Sequence, residues 1–342
     1  GKTLPLQQEQ VDFSGHAIEV RLYAEDPARD FVPSTGRVHF WQEPGGEGIR
    51  VDSGIANSQL VSPWYDPLLA KIVAYGNSRA AALERLRAAL EETVLFGPVT
   101  NRDFLLQVLT DKQFAAGEAN TAFIGESDSA KSTAKSSAVL RDVAAALIDR
   151  ETAIRAMSAS IRVAPELLQW SSTGPLSREL RLLEGDELHT LHITGLADGT
   201  YELDGERVEI LQHDDNAARI RHGSTAIDCT YLLQGDQLHI ATGGETRSFQ
   251  ISDGSLTGDD EAASGRVLAP MHGLVVELFV SEGDTVNSGD KLAILEAMKM
   301  QHEIRANVDG VISQLHCSKS TQIEANAIML DIETKQPIDR SN

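Results

Sequence analysis

The sequence predicts a multidomain α+β chain: an α+β domain, then a helix wrapped by an antiparallel β-barrel, then a quasi-two-fold β-sandwich. Three observations predict this. Two stretches without apolar periodicity, ESDSAKSTAKSSA (126–138) and the acidic DGSLTGDDEAASG (253–265), read as linkers between blocks 1–125, 139–252 and 266–335. Turn signals such as EGD, DGT, DGE and QGD recur roughly every 8–12 residues through the second block. The third block repeats itself, with APMHGLVVELFV from Ala269 aligning without a gap on ANVDGVISQLHC from Ala306.

In the first block, HAIEVRLY (16–23) alternates as a strand and sets Ala17, Glu19, Arg21 and Tyr23 on one face. A face that carries Glu19 and Arg21 cannot be plain core. Residues 79–92 place Leu83, Leu86 and Leu90 at helical spacing, and Asn101 is placed to cap a helix bearing Phe104, Leu105, Val108 and Leu109. The second block opens on a helix whose apolar stripe is Val139, Leu140, Val143, Ala144, Leu147, Ile148 and Ile154. Short alternating strands follow Trp170, enough for a sheet that curls around that helix. His189, His192, His213, His222 and His239 lack metal-ligand spacing and read as surface or half-buried strand residues, and no metal is expected. LQHDDNAAR (211–219) reads as a long turn. In the third block the repeat superposes Gly273 on Gly310 and Glu296 on Glu333. It also sets Ser320 and Asn326 where the first copy has Gly283 and Gly289. Asn tolerates a positive φ, and Ser is less at ease there.

Composition narrows the function. The 342 residues carry 30 Lys and Arg against 51 Asp and Glu, a net charge of −21, which disfavours a nucleic-acid partner. No apolar run approaches the ~20 residues of a membrane span, and GKTLPLQQEQ lacks signal-peptide form. Two distant cysteines, Cys229 and Cys317, favour a reducing compartment, cytoplasmic or the mitochondrial matrix of a eukaryote.

The chemistry concentrates at the joint of the repeat, EAMKMQHE (296–303). Two-fold halves make this joint a hairpin turn, with Lys299 at its tip between Met298 and Met300. Two methionines expected to be exposed at a turn suggest a binding surface, and a projecting amine suits acylation by a cofactor.

Ala297-Met298-Lys299-Met300 between two half-repeats resembles the biotinyl domain of biotin-dependent carboxylases. The resemblance implies biotin in amide linkage on Lys299, with Met298 and Met300 helping to define the attachment site for a biotin protein ligase. A lipoyl domain shares the sandwich, but its modified Lys usually follows Asp and lacks the Met pair. GHAIEVRLYAEDP (15–27), FVPSTGRV (31–38), SPWYDPLLAKIVAYG (62–76) and Thr100-Asn101 resemble, in family order, the C-terminal subdomain of biotin carboxylase. The resemblance makes Arg21 the active-site arginine that stabilises the enolate-like form of biotin. A permanently charged guanidinium can donate two N–H groups to one oxyanion. Asp66 matches a position near that site. A structural Arg21 paired with Glu19 or Glu25 is the alternative.

The order of the three blocks resembles α subunits of acyl-CoA carboxylases of the methylcrotonyl-, geranyl- and propionyl-CoA type. In these the middle block docks a carboxyltransferase β subunit, so a hetero-oligomer is implied. The acetyl-CoA system with separate carrier and carboxylase chains does not fit, nor does pyruvate carboxylase with its long insertion. The resemblance implies MgATP and bicarbonate chemistry in an N-terminal half that lies upstream in the family order. No Gly-rich phosphate loop occurs in this sequence. The chain is therefore expected to be inactive alone. The implied transfer runs from biotin on Lys299 through the β subunit to an acyl-CoA, with methylcrotonyl- or geranyl-CoA favoured over propionyl-CoA. The rivals are a non-catalytic biotin carrier or assembly protein and, further off, a lipoyl-type carrier.

Overall fold

Apolar residues at every second position of HAIEVRLY need a partner that buries only one face of the strand. The computed structural model supplies it. The described residues are 3–126, 138–159, 174–185, 187–196, 199–252, 265–298 and 300–334. Nearly all of both expected linkers lies outside them. Strand β1 (His16–Tyr23) pairs antiparallel with β3 (Leu68–Gly76), whose other edge takes β2 (Ile49–Ser53). Ile18, Val20, Ile72 and Ala74 point to α1 (Arg79–Glu92), where Ala82, Leu86, Ala89 and Leu90 complete the core. The helix starts where expected because the Ser78 hydroxyl accepts the Ala81 N–H at 3.2 Å. The opposite face of the sheet stays polar, with Glu19 and Arg21 in solvent.

Helix α2 (Arg102–Thr110) corrects one expectation in detail. Asn101 occupies the N-cap position, yet its side chain caps nothing. Instead its Oδ1 accepts the Tyr23 N–H at 2.9 Å and its Nδ2 donates to the Arg21 carbonyl at 3.2 Å. The buried amide is spent on holding the end of β1.

The second block forms the expected closed barrel around a helix. Its strands are β4 (Leu176–Glu184), β5 (Glu187–Gly195), β6 (Thr200–Leu203), β7 (Glu206–His213), β8 (Ala217–His222), β9 (Thr225–Gln234), β10 (Gln237–Thr242) and β11 (Glu245–Ile251), paired in chain order. They enclose α3 (Ala138–Ala159). Residues 143–148 of α3 are buried on every side, as a helix inside a barrel must be, whereas Val139 is exposed. Segment 211–219 is mostly strand rather than a long turn, since β7 runs to His213 and β8 starts at Ala217.

The barrel histidines are also more engaged than expected. His222 Nε2 meets Asp142 at 2.9 Å, and His213 Nε2 meets Glu151 at 2.8 Å. Tyr231 also donates to Glu151 at 2.8 Å. These pairs, with Asp149 to Arg178 and Arg141 to His189, fix the rotation of α3 within a largely apolar lumen. Burial pushes the Asp142 carboxyl up, against the pull of His222, and pushes the Cys229 thiol up to about 12, so it stays neutral.

His239 is buried, not half-exposed, at 4 % accessibility. It stacks on Phe96 (5.5 Å) and near His39 (5.8 Å) where the barrel meets the α+β domain. Beside it Arg102, 3 % exposed, donates to the carbonyls of Thr93 and Gly244, both at 2.8 Å. Burial first, then the neighbouring His39, pulls the His239 imidazole down to about 4. The unfolded chain therefore takes up a proton near pH 6.5, whereas the folded chain resists until about pH 4. Stability is full above pH 6.5 and is lost as pH falls through that window. Denaturant unfolding at pH 7 and pH 5 is expected to show a drop of about 2 kcal/mol from this group. His239→Phe keeps the stack and is expected to flatten that slope; an unchanged slope refutes the assignment.

The third block is a sandwich of two four-stranded sheets. It contains β12 (Arg266–Leu268), β13 (Gly273–Leu278), β14 (Thr285–Val286), β15 (Lys291–Ala297), β16 (Met300–Arg305), β17 (Gly310–Leu315), β18 (Gln322–Ile323) and β19 (Ile328–Thr334). One sheet runs β12-β19-β17-β14 and the other β16-β15-β13-β18. The internal repeat maps each strand of one sheet onto its counterpart in the other, in order, which is the quasi-two-fold. Gly273 and Gly310 sit at equivalent tight points. A Cβ would lie 2.9 Å from the Glu296 carbonyl oxygen in one case and 2.4 Å from that of Glu333 in the other. Ser320 and Asn326 adopt φ of 65° and 63°, so both turns survive the loss of glycine, Ser320 at a cost of about 1 kcal/mol.

Candidate functional site

Two places carry the expected site residues. The first is the polar face of the α+β sheet. Arg21 projects from β1 with its side chain 58 % exposed, and its Nε lies 3.5 Å from Glu19 Oε1. Tyr23 first, then Glu19, raises its already high pKa, so the guanidinium is a fixed positive charge. Glu25 is not its partner. Glu25 lies by Asp66, and burial first, then Asp66, pushes its carboxyl up. Asp66 Oδ1 accepts the Leu68 N–H at 3.0 Å, a turn that opens β3. The Ala24 N–H donates to the Pro67 carbonyl at 2.8 Å, tying the end of β1 to this loop.

The second place is the β15–β16 hairpin. Ala297 pairs with Met300, and Met298 takes φ 48°. Lys299 itself lies outside the described residues. Met300 is 39 % exposed, but Met298 is 4 % exposed, against the expectation of two exposed methionines. The reason is tertiary. Met298 packs into a cluster of the α+β domain that contains Ala24, Val38, Val61, Leu69 and Leu95, and its N–H donates to the Pro63 carbonyl at 2.9 Å. The structure thus brings the hairpin tip to the 61–69 stretch that also carries Asp66, and to the end of the strand that carries Arg21. Sequence periodicity held no signal for this contact, nor for the tethering role of Asn101, because both depend on partners far away in the chain.

The hairpin suits biotin on chemical grounds. An amide link to a carboxylic cofactor needs one primary amine in a short turn, and the only lysine of the 297–300 turn is Lys299. Lys319 also sits exposed in a short turn, at Ser318–Thr321, but without flanking methionines. No group of three or more His, Cys, Asp or Glu side chains among the described residues could hold a metal ion. The cleft between the α+β domain and the barrel, lined by Glu91, Glu92, Asp214, Asp228 and Arg219, has no nucleophile paired with a base.

Residues 19–126 match the family model "Biotin carboxylase C-terminal domain", and 265–332 match "Biotin-requiring enzyme". The chain thus carries matches to two domain families of biotin-dependent enzymes. It is similar to the methylcrotonoyl-CoA carboxylase α subunit of Glycine max, at 30% identity over 97% of this chain and 52% of that one. It is similar to the corresponding subunit of Oryza sativa subsp. japonica, at 29% over 98% of this chain and 52% of that one. The propionyl-CoA carboxylase α chain of Mus musculus is 29% identical over 97% of this chain and 48% of that one. The chain therefore spans about half the length of the curated relatives it matches. The two family matches fall on the first and third blocks, and the barrel between them is covered by the relatives alone. No helix among the described residues is long and apolar enough to cross a membrane.

Proposed function

We propose that this chain is the biotin-bearing part of an acyl-CoA carboxylase α subunit, working with ATP-dependent carboxylation chemistry in the portion its relatives have and this chain does not span. The observation that carries the reading is the AMKM turn at the joint of a two-fold sandwich. Lys299 would hold biotin, whose ureido nitrogen supplies the atom that can carry a carboxyl group. Met298 and Met300 flank it. Arg21, charged and solvent-facing, would supply two N–H donors to negative charge developing on the ureido oxygen. The fixed backbone between Arg21 and Tyr23, pinned by Asn101, holds that guanidinium in place.

We assign the α+β domain to 1–125, the barrel domain to 139–252 and the carrier domain to 266–335, with 126–138 and the acidic 253–265 as linkers. The barrel has an extensive apolar core, and none of its described residues form a cluster that could hold a metal ion, which suits a domain that holds geometry. Its role in this reading is to dock a carboxyltransferase β subunit in a hetero-oligomer. The acyl acceptor would be methylcrotonyl- or geranyl-CoA ahead of propionyl-CoA, and a substrate panel on the reconstituted enzyme decides among them. The compartment would be the mitochondrial matrix in a eukaryote and the cytoplasm otherwise.

On a sizing column the chain is expected to co-migrate with its carboxyltransferase β subunit. In that complex, hydrogen exchange is expected to slow in the barrel strands between 176 and 251. Slowing confined to 265–334 would assign docking to the carrier domain and overturn the barrel's role. A folded chain that never co-migrates would overturn the partner itself.

A further inference from the structure

The contact that buries Met298 has a consequence for how the carrier is modified. An apolar side chain on a hairpin turn would ordinarily lie in water. Here it enters a socket whose walls, Ala24, Val38, Val61, Leu69 and Leu95, are themselves buried residues of another domain. An unbranched thioether adapts to such a site better than a branched side chain. The seat is reinforced at three further points. The Met298 N–H donates to the Pro63 carbonyl at 2.9 Å. Arg29 Nη2 donates to the Pro270 carbonyl at 3.0 Å. Val32, 5 % exposed, packs into the apolar cluster of the carrier beside residues such as Ala269 and Met271. Two edges of the carrier, the 269–271 loop and the 298 turn, thus rest on one surface of the α+β domain formed by 24–38 and 61–69.

We propose that Met298 is the anchor of a docked carrier, and that docking withholds the adjoining lysine from the enzyme that biotinylates it. The inference rests on the reading of Lys299 as the attachment site. Modification joins the lysine amine to the carboxyl carbon of biotin, which a ligase presents as an acyl-adenylate. The new C–N bond forms as the acyl–phosphate bond breaks, and AMP and one amine proton leave. A ligase must surround the turn to do this, and the socket surrounds Met298 already. Biotinylation therefore proceeds from the undocked fraction, and its rate reports the docking equilibrium.

The test uses the whole chain and two variants on the α+β side, leaving the AMKM turn intact. Val61→Asp puts a carboxylate in the socket, and Arg29→Glu breaks the exposed edge contact without touching a core. Hydrogen exchange of a peptide spanning 295–303 is read alongside the initial rate of biotin transfer by a purified ligase. Wild type is expected to protect the Met298 amide. Val61→Asp is expected to speed its exchange by about tenfold or more while the 273–278 strand is unchanged, and to raise the transfer rate several-fold. Should Val61→Asp unfold the domain, Arg29→Glu carries the same two readouts with a smaller rise. Exchange at 298 that is already fast in wild type, or equal in wild type and a folded variant, overturns the anchor. Faster exchange with an unchanged transfer rate overturns the withholding. Protection at 298 with no biotin on Lys299 in any of the proteins overturns the attachment reading and leaves the anchor standing.

Discussion

Lys299→Arg is expected to abolish biotin incorporation completely while leaving unfolding free energy within about 0.5 kcal/mol of wild type. The substitution keeps a positive charge and a long flexible stem but removes the only primary amine in the turn. A guanidinium is protonated at any physiological pH and is a poor nucleophile toward an activated acyl carbon. Stability should hold because the turn is fixed by its neighbours: Ala297 pairs with Met300, and Met298 supplies the left-handed residue. Peptide mass spectrometry after co-expression with a biotin ligase reads the first outcome, and denaturant unfolding reads the second. Biotin on another lysine of a folded Lys299→Arg chain would refute the assignment. A large loss of stability would mean that position 299 carries packing the reading does not include.

The legibility of the fold follows the range of the interactions that make it. The sandwich could be read because its symmetry is written as a gap-free repeat, and each half specifies its own turns. The barrel could be read from turn spacing, and helix α1 from three leucines at helical spacing, all local signals. What the sequence did not disclose is set by long-range contacts. His239 looks like any strand histidine, and only the approach of Phe96 and His39 from another domain buries it. His213 and His222 have no informative spacing, because their partners Glu151 and Asp142 sit on a helix more than sixty residues away. Asn101 carries a capping residue's identity, and only its distance partners Arg21 and Tyr23 reveal a tether. Met298 is the sharpest case. The turn at the repeat joint was legible at once, whereas the burial of one of its methionines belongs to a surface of the first block.

Arg21→Ala in a full-length α subunit is expected to lower biotin-dependent turnover by about 10²–10³, the ~2.7–4 kcal/mol that a lost oxyanion donor typically costs. Binding of ATP should be unchanged. The fold should be unchanged too. The guanidinium is more than half exposed and its ion pair with Glu19 spans 3.5 Å, a solvent-screened contact of small worth. The effect on rate must then come from chemistry rather than from packing, since β1 is held by Asn101 through backbone groups that the substitution leaves in place. Arg21→Lys makes the distinction sharper. An ammonium keeps the charge but presents a compact point donor in place of a planar fork, so it should recover only a small part of the loss. If positive charge alone were needed, Lys would restore most of the turnover. If Arg21 were no more than a strand ion pair, Ala would turn over at nearly the wild-type rate, and the active-site reading of this face would fall with it.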